Sequence, residues 1–219
     1  MAKAGLNFGH NVSRLHPKMK LYVSGIKNNV HIIDLEKTAK EFERALKFIS
    51  SLVSDGKTIL FVGTKIQVKE LVKNAAEICQ MPYVTERWLG GTFTNFETIS
   101  KRVQYFKELE NKKATGGLEK YTKKERSLFD KELEILRKKF EGIKNLAKLP
   151  EAVLILDLKK DITCAKEAKR KGVKIIGVAD TNIDPTLADY PVPANDDAIS
   201  SVSYILEKVK ETILNSKNV

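Results

Sequence analysis

Three apolar runs rich in β-branched residues punctuate this chain: ILFVG at 59–63, AVLILD at 152–157 and KIIGVAD at 174–180. Runs that are continuously apolar, without alternation, mark strands covered on both faces. YVTE at 83–86 and YPVP at 190–193 are shorter and fit outer strands, where Pro191 and Pro193 are tolerated. Between these runs the apolar positions fall three and four residues apart. The segment from Leu35 to Val53 carries Phe42, Leu46, Ile49 and Val53 at that spacing, with Asp34 placed to cap its start. Residues 66–79, 163–171 and 198–214 repeat the pattern. Strands alternating with helices predict an α/β fold with a five-stranded parallel sheet covered on both faces.

One connection breaks the rhythm. Residues 97–148 form a polar, charge-dense excursion, far longer than an ordinary crossover. Phe96, Ile99, Val103, Phe106 and Leu109 recur at helical spacing, as do Leu128, Leu133, Leu136 and Phe140. ATGG at 114–117 reads as the turn between two helices, and Thr122 with Glu125 spells a capping box. The expected organisation is a discontinuous body, 1–96 and 149–219, carrying a protruding two-helix hairpin at 97–148.

Charge narrows the function. The 219-residue chain has a formal charge of +11 and a pI near 9.5, which favours an acidic partner, nucleic acid or an anionic membrane surface. No apolar run reaches the roughly 18 residues of a spanning helix, and the first residues lack the apolar stretch of a signal peptide, so a cytoplasmic setting is expected. Cys79 and Cys164 have no CxxC spacing and read as reduced, buried thiols. Lys3 to Lys27 holds bases and no acid, whereas residues 180–197 hold five aspartates and no Lys or Arg. One end of the body should therefore attract nucleic acid and the other should not.

The densest candidate chemistry is RWLGGTFTNF at 87–96. Arg87 can fork onto a phosphate, Trp88 offers a flat face, Gly90 and Gly91 admit another backbone, and Asn95 adds a short polar side chain. A strand-to-helix corner with Trp88 plugging the core is equally consistent with these residues. Enzyme signals are thin. There is no GxGxxG, and GKT at 56–58 precedes a strand where a P-loop would follow one. GTK at 63–65 could hold one anion at a helix start, with Lys65 as a point charge. The competing enzyme reading is a nucleotide- or phosphosugar-binding site around Gly63, Lys65, Asp157 and Asp180 at the carboxyl ends of the strands. A third reading makes the hairpin a protein-docking arm. His10 and His16 lie in a presumed loop with no Cys or carboxylate cluster beside them, so no metal is expected, and no cofactor.

FGH at 8–10, PKMK at 17–20, VHIIDLEKT at 30–38, ILFVGTK at 59–65, RWLGGTFTN at 87–95, TKKE at 122–125, and DTNIDP at 180–185 with PANDDAI at 193–199 run in order along the chain. This set resembles the bacterial-type small-subunit ribosomal protein S-two family. The resemblance implies a flavodoxin-like three-layer α/β/α body with a protruding coiled-coil hairpin. It also implies a structural, non-catalytic role in the cytoplasmic ribosome, holding small-subunit rRNA and neighbouring ribosomal proteins, among them the large mRNA-binding first protein. No membrane and no small-molecule substrate are expected. The family usually has a histidine where Asn7 stands, and an aromatic and an asparagine where Leu15 and His16 stand. Its leader is also shortened here and its acidic tail is absent after Val219, changes that bear on protein docking more than on rRNA. The candidate RNA-binding residues are Phe8, His10, Lys18, Lys20 and Lys27 near the start, then Lys65. Arg87, Trp88, Gly90, Gly91 and Asn95 follow at the corner, and Arg102, Lys123 and Lys124 on the hairpin.

Overall fold

The computed structural model describes residues 1–217, and its first element is one that hydrophobic spacing does not reveal. Strands β1 (Phe8–Asn11), β2 (Val23–Lys27) and β3 (Val30–Ile33) form an antiparallel sheet in the order β1-β3-β2. The stretch around His10 and His16, expected to be a loop, is thus part strand and part short 3-10 turns. β2 and β3 are joined by Asn28 and Asn29 at φ 49° and 62°, the left-handed pair that a two-residue hairpin turn demands. Only His31 and Ile33 of β3 are buried, so the sheet is a one-faced cover.

The body follows. Strands β4 (Ile59–Val62), β5 (Tyr83–Val84), β6 (Ala152–Ile155), β7 (Lys174–Ala179) and β8 (Tyr190–Pro193) pair in parallel in the order β5-β4-β6-β7-β8. Counted within this sheet, the order is that of a flavodoxin-like doubly wound fold. Side-chain alternation divides the core in two. Ile59, Phe61, Leu154, Ile176 and Val178 pack with helices α1 (Leu35–Ser54), α2 (Lys69–Cys79) and α6 (Ile199–Lys217). Leu60, Val62, Val153, Ile155 and Ile175 pack on the opposite face with α5 (Ile162–Lys171) and the roots of α3 (Phe96–Ala114) and α4 (Lys123–Phe140).

Helix boundaries follow local chemistry. The Asp34 carboxylate accepts the N–H groups of Glu36 and Lys37 at the start of α1, and the capping box of Thr122 and Glu125 opens α4. Apolar spacing started α2 three residues early, because 66–68 form a turn before Lys69. α3 and α4 lie against each other, with Lys113 paired to Asp130 at 2.6 Å and Arg137 to Glu110 at 2.8 Å. Their inward residues Val103, Phe106, Leu109, Leu133, Leu136 and Phe140 belong to the same core as the sheet. Gly142 closes the junction, since a Cβ there would collide with the Tyr83 carbonyl of β5. The long excursion is therefore joined to the body through a continuous apolar core.

Candidate nucleic-acid interface

Two places gather the charged and polar residues singled out from the sequence. The first is the crevice at the carboxyl ends of β4, β6 and β7, beside the point where strand order reverses. Lys65, from the turn after β4, places Nζ 2.8 Å from Asp157, 2.7 Å from Asp196 and 2.8 Å from Asp197. Burial opposes its charge, but Asp196, Asp157 and Asp197 outweigh that and hold its pKa above the ordinary lysine value. The cover sheet adds His10, whose Nδ1 lies 3.1 Å from Asp180 and whose Nε2 lies 3.4 Å from Asp197. The bond to Asp180 raises the pKa of His10 against burial. Asp196, 2% exposed, is pushed up to about 7 by burial and by the charges of Asp157 and Asp180. His10, Asp180 and Asp196 each offer a ligand atom within 4.8 Å of the others, a set that could take a divalent cation. The histidine does therefore meet carboxylates, contributed by the far end of the chain, which spacing along the sequence had no means of showing.

The second place is the corner at 87–95. Its organiser is Glu167, on α5 and 6% exposed. One oxygen accepts Trp88 Nε1–H at 3.3 Å and Gly91 N–H at 2.8 Å. The other accepts Phe93 N–H at 3.0 Å, Thr94 N–H at 3.2 Å and the Thr94 hydroxyl at 3.2 Å. Burial works to raise its pKa, yet these donors, with Gly91 and Phe93 foremost, hold it below the usual carboxylate range. Gly91 sits at φ 95°, a conformation that suits glycine, so the chain can fold its N–H groups inward onto one carboxylate. Trp88 is 7% exposed and meets Phe93 edge to face at 4.9 Å. Of the two roles open to it, the core plug is the one the fold adopts.

Residues 1–216 match the family model described as Ribosomal protein S2. The chain belongs to the ribosomal protein S2 family. Among its relatives, the small ribosomal subunit protein uS2 of Dictyoglomus thermophilum is 43% identical over 219 residues, covering 100% of this chain and 89% of the relative. The protein named uS2c of Rhodomonas salina is 44% identical over 218 residues, with 100% and 90% covered, and uS2 of Endomicrobium trichonymphae is 42% identical over 219 residues, with 100% and 90% covered. The ribosomal protein S2 family is structural and not enzymatic, so the nucleotide-enzyme alternative falls. The crevice gives the physical reason: Lys65, the one cation meant to hold a phosphate, already faces three carboxylates of its own chain.

The remaining candidates of this S2 chain divide by partner. Lys18 is bonded to Asp184 at 2.7 Å and Thr186 at 2.9 Å. Lys20, Lys27, Arg87, Arg102, Lys123 and Lys124 are exposed, and none has an ion pair among the described residues. Phe8 is 48% exposed on β1, Gly90 is open to solvent, and Asn95 is exposed at the start of α3 without capping it. The basic opening stretch does not sit at the opposite end from the acidic segment 180–197, as expected, but packs on it through Lys18 and His10. Glu167 was missed from the sequence. The signal was a lone acid three residues after Cys164 and one before Ala168, on the apolar stripe of a helix otherwise rich in lysine.

Proposed function

We propose that this protein is a structural constituent of the small ribosomal subunit that binds small-subunit rRNA and neighbouring ribosomal proteins, without catalysis. The observation that carries the reading is the set of exposed cations Lys20, Lys27, Arg87, Arg102, Lys123 and Lys124, none of them ion-paired among the described residues, on a chain of formal charge +11. Cations already paired inside a protein release no counterions on binding RNA, whereas free ones do. In this reading the segment 97–148 acts as a basic arm on the body, and contacts run to phosphate and sugar, since double-helical RNA is recognised mainly by shape. The large mRNA-binding first protein of the subunit is a further partner in keeping with the family.

Sedimentation of a native lysate at low and high salt tests the proposal. Co-migration with the small subunit that is lost at high salt is the expected result. A peak confined to the top of the gradient at low salt would overturn it.

A further inference from the structure

The seam between the corner and α4 holds a cleft of about 370 Å³, and we propose that it receives one unpaired nucleotide of an RNA strand. The inference rests on the RNA-binding reading above and adds a ligand class and a place to it. Its volume lies at the low end of the roughly 300–1,000 Å³ of small-molecule sites, too small for a duplex. The lining combines an apolar floor with cations. Leu89 is half-buried beside Trp88, and Ile135 of α4 is 52% exposed on the facing wall.

Ile135 stands three and four residues before Lys138 and Lys139, so all three share one helix face. A base lying on Ile135 would thus have its flanking phosphates beside two ammonium groups. Arg87 closes the other side, with a planar fork that can stack on a base or grip a phosphate. Arg87, Lys138 and Lys139 have no ion pair among the described residues, while the lining acid Glu86 is neutralised by Lys69 at 2.7 Å. The cleft is therefore positive as well as apolar, the pairing that single-stranded RNA rewards with base contact and phosphate attraction together.

Gly90 lines the cleft. A Cβ built there meets nothing within 4 Å, and its backbone does not lie in the left-handed region. The fold does not need glycine at this position, so a larger side chain should be accepted and would project into open space. Trp88, the single tryptophan of the chain, lines the same cleft and reports on it.

The test titrates the full chain with a short oligouridylate, with an abasic phosphodiester strand of equal length, and with an oligoglutamate, following Trp88 fluorescence. The oligouridylate should quench saturably, and the abasic strand should bind about tenfold more weakly, the loss expected for one base contact. Gly90→Leu should weaken the oligouridylate by about tenfold while leaving the thermal unfolding midpoint in place. Ile135→Gln, on an exposed helix surface, should act in the same direction and covers the case in which Gly90→Leu misfolds. Equal affinity for the abasic strand, unchanged affinity in both variants, or stronger quenching by oligoglutamate would each overturn the proposal. A fragment of small-subunit rRNA run in parallel separates the two readings: its retention alongside any of those failures removes the cleft alone. Failure of the wild type to bind either RNA removes both.

Discussion

The crevice beside Lys65 and the corner beside Arg87 contain nearly the same chemistry, basic side chains near buried carboxylates, with opposite results. In the crevice Asp157, Asp196 and Asp197 are turned on a side-chain cation, and the charge is closed inside the protein. At the corner Glu167 is turned on backbone N–H groups and an indole, so its charge is satisfied without any cation. Arg87, exposed at the same corner, has no ion pair among the described residues. Lys65 is held by carboxylates of its own chain, whereas Arg87 keeps its charge turned to solvent, so the local count of positive residues does not by itself say which cations can reach an outside polyanion.

Removing the crevice cation should have the largest effect. Lys65→Met leaves several carboxylates facing one another, among them Asp196 at 2% exposure, and should cost about 3–5 kcal/mol of stability. Denaturant unfolding measures the loss. Adding Asp196→Asn should recover part of it, because the buried charge that lacked a partner is then gone. Binding to rRNA should change little in either variant, given that Lys65 faces inward. A Lys65→Met protein of normal stability but weakened RNA affinity would reverse the contrast between the two regions.

At the corner, Glu167→Gln keeps the shape but replaces one acceptor oxygen with a donor facing other donors. A loss of about 2–3 kcal/mol is expected, together with a red shift of Trp88 emission as the indole loses its partner. The pH dependence has a definite sign. The Glu167 carboxyl is held below its ordinary value, so its stabilisation is complete above about pH 4.3 and fades as pH falls through the lower folded value. The stability gap between wild type and Glu167→Gln should narrow on acidification from about pH 5 to about pH 3. A constant gap would mean that the carboxylate charge does not hold the corner.

The sheet, its flanking helices and the hairpin helices were legible because periodicity reports burial, and Ile59 to Val62 or Val103 to Leu109 carry that signal within a few residues. The cover sheet was not, since β1 is exposed at Phe8 and Asn11, β2 is exposed from Ser24 to Lys27, and β3 buries only His31 and Ile33, which leaves too short an apolar pattern to read. The candidate site was legible as a list of residue types and illegible as a set of pairs. Lys18 and Lys20 look alike in PKMK, yet one meets Asp184 from the far end of the chain and the other meets no acid among the described residues. Such pairings depend on topology, which side-chain spacing along one segment does not carry.

Neutralising free cations should leave the fold alone and change RNA binding. Arg87→Gln with Lys138→Gln and Lys139→Gln should lower rRNA affinity by about tenfold at physiological salt and flatten the salt dependence by roughly one unit of slope per lost contact. Stability should move by no more than about 0.5 kcal/mol, because none of the three is ion-paired among the described residues. Filter binding across a salt series checks both figures, and an unchanged slope would place the RNA surface elsewhere.

Lys18→Gln sets the smallest effect and tests where the dividing line falls. Lys18 is 54% exposed and its partner Asp184 only 25%, so the pair lies between the closed crevice and the open corner. Burial raises the Asp184 carboxyl, but Lys18 and the Thr186 bonds win and hold it at about 2. Exposed pairs of this kind contribute about 0–1 kcal/mol, so thermal unfolding should fall only slightly. The salt slope of rRNA binding is the sharper readout. If Asp184 already neutralises Lys18, the slope should stay as in the wild type. A decrease of about one unit would show that the lysine leaves Asp184 for phosphate, and that a half-exposed pair belongs with the free cations.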